Sequence, residues 1–183
     1  VTGDPAKEVI LAGEGGVTVL DGKTGNTIWN QPIPGANSGT QFEIADLDND
    51  GDFEIVVSSY SPARLYAFNG DGSSYWISPV LGGRAPSNPV IADIDGDGFP
   101  TVFVATMWST TENNDGTLSA LDSQTGAILQ QVWSWHACAG GLSLADADYD
   151  GRFELYLGDR SNNYGDGNLG RGLVSYWADD LSE

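Results

Sequence analysis

Apolar and β-branched residues in this chain fall in short runs broken by Gly, Asn, Asp and Pro, the pattern of brief strands and tight turns. The runs predict strands at 8–12, 17–21, 26–30, 41–45, 53–59, 64–68, around Tyr75 and Trp76, and at 88–92 and 101–106. Further strands follow at 118–122, 127–135, 139–144, 153–157 and 173–178. Between them, Asn69-Gly-Asp-Gly72 is a strong hairpin signal. Asp21-Gly-Lys-Thr-Gly25 is a turn in which Asp21 and Thr24 can bond nearby backbone and Gly25 can take positive φ. Asp122-Ser-Gln-Thr-Gly126 repeats that turn. The chain therefore reads as all-β, one segment built of units of about four strands at 1–36, 37–85, 86–137 and 138–183.

The repeat is clearest where a strand enters an acidic loop and leaves it. Residues 44–58 read IADLDNDGDFEIVVS, 91–106 read IADIDGDGFPTVFVAT, and 144–158 read LADADYDGRFELYLG. Aspartates align as Asp46/Asp48/Asp50, Asp93/Asp95/Asp97 and Asp146/Asp148/Asp150, each triplet followed by Gly51, Gly98 or Gly151. An eroded copy opens the chain, where Asp4 aligns with Asp50 and Glu8 with Glu54. The copies are offset by 46, 47 and 53 residues. Short strands repeating at that length point to propeller blades or another radial array.

Carboxylates this dense repel one another unless a cation sits among them. Oxygen donors at positions 1, 3, 5 and 9 of a tight loop suit a hard cation with many oxygen ligands, which is calcium. Asp46, Asp48, Asp50 and Glu54 fill those positions in the first loop, and Asp146, Asp148, Asp150 and Glu154 fill them in the third. A main-chain carbonyl at position 7 completes the shell, from Asp52, Phe99 or Arg152. The second loop offers Asp93, Asp95 and Asp97 but has Thr101 at position 9 beside Pro100, which predicts lower affinity or a water in that place. An EF-hand is excluded, because position 12 is Val57, Val104 or Leu157 inside a strand-like run instead of Glu. About three calcium sites are expected, holding blades together and leaving little open coordination for catalysis.

Composition adds the surroundings. With 26 acidic against 7 basic residues the formal charge is −19, which disfavours nucleic acid and anionic membrane surfaces as partners. Three bound divalent cations would offset six units of it, leaving about −13. No apolar stretch reaches spanning length, so membrane insertion is not expected. The chain opens without Met and in mid-repeat, which leaves room for a leader ahead of Val1. Loops of weak to moderate affinity fill where calcium is roughly millimolar. The compartment expected is therefore extracellular, secreted or at the cell surface, or periplasmic.

Other candidate residues are sparse. Cys138 is the one cysteine, so no disulfide forms within the chain and a buried thiol is expected. His136 is equally alone and reads as a packed or edge residue. Trp29, Trp76 and Trp133 or Trp135 recur near outer strands and are expected to pack between blades. Trp108 and Trp177 break that rhythm and, with the Gly- and Asn-rich stretch 160–172, are candidates for a ligand face.

The DxDxDG loop, the acidic residue three positions after its Gly and the β-branched strand that follows resemble the FG-GAP/VCBS repeat of integrin α-subunit propellers and many secreted proteins. The resemblance covers nearly the whole chain and implies a calcium-binding β-propeller with ligands at the carboxylates named above. The stretch 21–29 also resembles the quinoprotein propeller repeat, as shared blade geometry. Four blades are implied, the first lacking its innermost strand and the last its outermost, where the family usually closes with about seven. The expected partners are therefore the remaining blades of a longer chain or other copies of itself, and a glycan or protein ligand. As function, the resemblance implies a calcium-stabilised module for binding, adhesion or assembly, not itself catalytic. The alternative is a segment of a secreted carbohydrate-active enzyme of the rhamnogalacturonan lyase type. Such a lyase needs a base beside a charge-neutralising cluster, which seven Lys and Arg and one His do not visibly supply.

Overall fold

The computed structural model describes residues 7–84, 86–107, 116–134, 138–159 and 173–183, with the backbone alone at 134, 138–140 and 159. Asp4 of the eroded copy, Trp108, Trp135, His136, the Cys138 thiol and the stretch 160–172 lie outside that description. The described residues hold fourteen strands. The first sheet contains β1 (Val9–Gly13), β2 (Gly16–Leu20) and β3 (Thr27–Pro32). The second contains β4 (Phe42–Ala45), β5 (Glu54–Ser59), β6 (Arg64–Phe68) and β7 (Ser74–Ile77). The third contains β8 (Val90–Ala92), β9 (Thr101–Ala105), β10 (Gly116–Asp122) and β11 (Ile128–Ser134). The fourth contains β12 (Cys138–Ala145), β13 (Glu154–Asp159) and β14 (Leu173–Trp177). Each sheet is an antiparallel meander in chain order.

Three apolar layers join successive sheets. Val17 and Val19 of the first sheet pack with Ile55, Val57 and Phe68 of the second. Val56, Leu65, Ala67 and Trp76 pack with Val102, Val104 and Leu121 of the third. Phe103, Ala105, Leu118 and Ala120 pack with Leu155, Leu157 and Tyr176 of the fourth. A middle sheet thus gives one face to each neighbour. That is why β5 is buried along its whole length, and why β6, which alternates in sequence, is buried on both faces from Leu65 to Phe68. Each Leu, Ile or Val fully removed from water this way contributes roughly 1.5–3 kcal/mol.

Bulges fix which strands correspond. The register slips between Val19 and Leu20, between Ala67 and Phe68, and between Ala120 and Leu121, in each case just before the turn to the outermost strand. Among the described residues, the first sheet therefore corresponds to strands two to four of the middle sheets, without the innermost. The fourth begins with the strand feeding an acidic loop and, among the described residues, has no outermost strand. The four sheets are open-ended, the architecture of a partial propeller.

Turns of one kind close all four units, the second being one residue shorter than the others. Asp21 N–H donates to the Asn26 carbonyl and Gly25 N–H to the Asp21 carbonyl, and Asp122, Ala127 and Gly126 repeat the pair. Asn69 and Ser73 with Gly72, and Trp177 and Ser182 with Leu181, make the corresponding bonds. The residue that needs positive φ is Gly25 (72°), Gly72 (86°), Gly126 (68°) or Leu181 (50°).

Onto these turns the outer strand of the preceding sheet latches. Trp29 Nε1 donates to the Gly70 carbonyl at 3.0 Å, and Trp76 Nε1 donates to the Ser123 carbonyl at 2.7 Å. A Cβ on Gly72 would lie 2.7 Å from the Trp29 ring, and one on Gly126 would lie 2.6 Å from Trp76. Glycine is needed at both positions for clearance as well as for φ. In the third sheet the latch is not Trp133, which is 61% exposed. Gln130 takes the place, its Nε2 donating to the Asp180 carbonyl. The bulge after Ala120 sets which β11 residues face the fourth sheet, and Trp133 is three residues too far along the strand.

Candidate metal centre

Each acidic loop bridges the first two strands of a full hairpin: β4 to β5, β8 to β9 and β12 to β13. The register sets Ala45 opposite Glu54, Ala92 opposite Thr101 and Ala145 opposite Glu154, so position 9 pairs with the residue just before the loop. That pairing returns the ninth side chain to the loop mouth.

The three loops fold alike because their first aspartate caps the backbone. Asp46 Oδ1 accepts from Asp50 N–H at 3.2 Å and its Oδ2 from Gly51 N–H at 2.9 Å. Asp146 accepts from Asp150 and Gly151, both at 3.1 Å, and Asp93 from Gly96 at 2.8 Å and Gly98 at 3.0 Å. The third aspartate holds the residue two further on: Asp50 accepts from Asp52, Asp97 from Phe99 and Asp150 from Arg152, each at 2.8 Å. Two left-handed residues make the bend. They are Asn49, Gly96 or Tyr149 at position 4 and Gly51, Gly98 or Gly151 at position 6. Asn and Gly adopt that conformation readily, whereas Tyr149, at φ 63°, holds it under strain.

The carboxylates converge as their spacing requires. One oxygen from each of Asp46, Asp48 and Asp50 lies within 4.8 Å of the others, as do those of Asp93, Asp95 and Asp97. Asp146, Asp148, Asp150 and Glu154 form a group of four by the same measure. Glu54 stands outside the first group: its Oε2 accepts from Leu47 N–H at 2.9 Å. Glu154 Oε2 makes the same bond to Ala147 N–H, also at 2.9 Å, yet keeps an oxygen near the aspartates. Thr101 has no carboxylate with which to repeat this, so the second loop relies on aspartates alone.

The electrostatics favour a cation. Glu54 is 3% exposed and Glu154 7%, and burying carboxylates is costly without compensating charge. Burial pushes the Glu54 carboxyl above its ordinary value, against the Leu47 N–H, with Asp48, Asp50 and Asp46 adding repulsion. The Tyr75 hydroxyl is pushed up to about 12 by burial and by the nearby charges of Asp48 and Glu54. Desolvation pushes the Asp93 carboxyl up, but N–H donors from Gly96 and Gly98 outweigh it and hold the group below the usual range. Asp48 Oδ1 is buried without a hydrogen-bond partner, aligned in the loop with atoms that a divalent cation would gather. The donor set, all oxygen, fits calcium.

Several of these contacts were invisible to the sequence. Tyr75 comes to Asp48 from β7, and Tyr156 Oη donates to Glu154 Oε2 at 3.2 Å. Leu47, at loop position 2, is fully buried in the layer between the second and third sheets. Ser123 Oγ, from the turn of the third sheet, donates to the Leu47 carbonyl at 2.7 Å. At the third loop, Arg152 lies 4.1 Å over the Trp177 ring and forms a two-pronged pair with Asp179. Trp177, read from sequence as a ligand-face residue, is occupied with that cation.

Comparison with known proteins locates the chain. Its fold is similar to BamB from Moraxella catarrhalis, with a TM-score of 0.53 and 16% identity, over 83% of this chain and 40% of BamB. The chain thus spans well under half of that protein. Weaker likenesses are to the V. cholerae biofilm matrix protein Bap1 (TM-score 0.40, 16% identity, 79% of this chain and 29% of Bap1) and to a protein of unknown function from Bacteroides caccae (TM-score 0.35, 13% identity, 93% and 74%). No curated protein matches. The profile of the FG-GAP-like repeat matches residues 1–57 and again 46–104, more than half of the chain and two of its three acidic loops. By these matches, the repeated loop and the open row of four antiparallel sheets, the chain belongs to the FG-GAP-like repeat family.

Proposed function

We propose that the three acidic loops bind calcium, and that the chain is a calcium-stabilised module of a secreted or cell-surface protein, acting in binding, adhesion or assembly and not in catalysis. The observation that carries this reading is the position of Leu47, which places the first loop inside a joint between sheets. Its N–H is held by Glu54 and its carbonyl by Ser123 of the next sheet. Ile94, the same position in the second loop, packs into the next layer. A loop wedged into a joint is suited to setting sheet against sheet.

In this reading Asp46, Asp48 and Asp50 hold the ion in the first loop with the Asp52 carbonyl, and Glu54 fixes the loop behind them. Asp93, Asp95 and Asp97 with the Phe99 carbonyl serve the second, and Asp146, Asp148, Asp150 and Glu154 with the Arg152 carbonyl the third. The ion supplies the positive charge that crowded carboxylates lack. The formal charge of −19 and the affinity range of such loops support a calcium-rich compartment outside the cytosol. Isothermal titration of chelated protein is expected to count about three sites, with melting raised by calcium and lowered by chelator. No binding heat, with melting indifferent to chelator, overturns the reading.

A further inference from the structure

We infer that Asn69 is a site of spontaneous modification in the folded chain, where the main-chain nitrogen of Gly70 attacks the Asn69 carboxamide, and that the Trp29 latch sets the rate. In this step the Gly70 nitrogen gives up its proton and bonds to Asn69 Cγ. The Cγ–Nδ2 bond breaks, and the amide nitrogen leaves as ammonia. Water then opens the cyclic imide at either carbonyl. One opening leaves aspartate at position 69, and the other leaves isoaspartate, in which the main chain runs through the side-chain carbon. Water is the co-reactant, and no electrons change hands.

Of all the asparagines in the chain, Asn69 alone is followed by glycine. Elsewhere among the described residues the next residue is Thr27, Gln31, Ser38, Asp50 or Pro89. The first four put a Cβ beside the attacking nitrogen, and proline has no N–H to give up. The turn also leaves the reacting atoms free. Asn69 N–H donates to the Ser73 carbonyl at 2.9 Å, and Gly72 N–H donates to the Asn69 carbonyl at 2.8 Å. Gly70 N–H takes part in neither bond and has no acceptor among the described residues. The carboxamide is held by one exposed bond, from Nδ2 to Ser73 Oγ at 2.8 Å. Asp21 and Asp122 open the turns of the first and third sheets, where their carboxylates receive Thr24 and Thr125. An acid is thus compatible with a turn of this kind.

What restrains the reaction is the neighbouring sheet. Trp29 Nε1 donates to the Gly70 carbonyl at 3.0 Å, Gln31 Nε2 donates to the Gly72 carbonyl at 2.7 Å, and the Trp29 ring lies over Gly72. Both bonds grip the turn just beyond the attacking nitrogen, so they resist the rotation that brings it onto Asn69 Cγ. The rate therefore follows release of the turn from β3, a local opening and not global unfolding. The converse also holds. Isoaspartate lengthens the main chain between Asn69 and Gly70 and shifts the Gly70 carbonyl away from the indole. The modification loosens the joint between the first and second sheets.

Incubating the intact chain in mildly alkaline buffer, then mapping its peptides by mass, reads both site and rate. Asn69 is expected to convert ahead of every other asparagine and to yield aspartate and isoaspartate together. Gly70→Ala, at a residue outside the left-handed region, is expected to slow conversion severalfold. Trp29→Phe keeps a ring beside Phe68 and deletes the donor. It is expected to speed conversion by about five-fold, the extra opening that loss of one such bond allows. Should Trp29→Phe not fold, Gln31→Ala cuts the second bond and decides in its place. The aged chain is expected to melt below the fresh one, and Asn69→Ser, which cannot form the imide, is expected to lose nothing on ageing. Conversion absent at Asn69, or faster at another asparagine, overturns the proposal. So does an unchanged rate in the latch variant, or an equal loss of melting temperature on ageing in Asn69→Ser.

Discussion

The apolar layer between the second and third sheets is latched at its outer end by one side chain, and removing it in two steps separates packing from hydrogen bonding. Trp76 is 6% exposed, lies over Gly126, and gives its indole N–H to the Ser123 carbonyl. Trp76→Ala removes ring and donor together, a loss of about 3–5 kcal/mol for a buried Trp. Trp76→Phe keeps most of the apolar area and deletes the donor, leaving the carbonyl of a residue that is 2% exposed without it. The cost of that orphaned acceptor is about 1–3 kcal/mol. For a chain of this size each kcal/mol shifts melting by about 2–4 °C, so Ala is expected to lower Tm by about 10 °C and Phe by about 4 °C.

Gln130 is the internal control, because it occupies the same place at the next joint with one bond to Asp180 and no ring. Gln130→Ala is expected to cost less than about 1 kcal/mol. Thermal melts by circular dichroism, in calcium and in chelator, measure all three variants. If Trp76→Ala and Gln130→Ala lower Tm equally, the latch is not what holds the joint. If Phe costs as much as Ala, the hydrogen bond and not the ring dominates.

Thr101→Glu is expected to tighten the second loop's hold on calcium by about ten-fold, the usual size of a supporting-residue effect, because it restores the carboxylate that clamps position 2 in the other loops; titration calorimetry that finds no change removes position 9 from that role. Tyr149→Asn should raise stability by about 1 kcal/mol by relieving a left-handed non-glycine residue, seen as a higher Tm with calcium stoichiometry unchanged. The Asp21 carboxyl is held below its ordinary value, first by the Thr24 hydroxyl and then by backbone N–H groups. Its contribution to stability is therefore full above pH 3.8 and lost as the pH falls through its lowered value. A carboxyl titration by NMR should place its midpoint below 3.8, and a midpoint above that contradicts the turn geometry.

Features that depend on neighbours in sequence were legible; those that depend on the next sheet were not. The aspartates converge as read, because a loop that leaves and re-enters one hairpin brings positions 1, 3 and 5 together from local geometry alone. Asn49 and the loop glycines advertise left-handed backbone, yet nothing in the sequence says that Tyr149 takes it too. Glu54 and Glu154 look identical as letters, but only Glu154 keeps an oxygen with its aspartates. The tryptophan rhythm misled for a definable reason. Trp29 lies eight residues after Asp21, and eight after Asp122 is Gln130, whereas Trp133 is a nearby indole on the wrong part of the strand. Counting from the turn would have found it, since the turn and its bulge fix the register.

Latch and loop are not separate devices. Trp76 bonds the Ser123 carbonyl, Ser123 Oγ bonds the Leu47 carbonyl, and Leu47 N–H bonds Glu54. A continuous chain of contacts thus runs from the joint between two sheets into the first acidic loop. Coupling of this kind is reciprocal: if the proposed cation tightens the joint, a weakened joint must lower affinity for the cation by the same factor. Ser123→Ala cuts the chain at its middle bond and touches no carboxylate. Loss of one such hydrogen bond is worth about 1 kcal/mol, an upper limit of about five-fold in affinity if all of it is transmitted. The third loop supplies the contrast, since Ala147 stands where Leu47 does and is exposed among the described residues. Calorimetry of Ser123→Ala should therefore show weakening at the first loop and none at the third. Equal weakening at both would mean a general loosening of the fold, and none at either would mean that the joint and the loop are adjacent without being coupled.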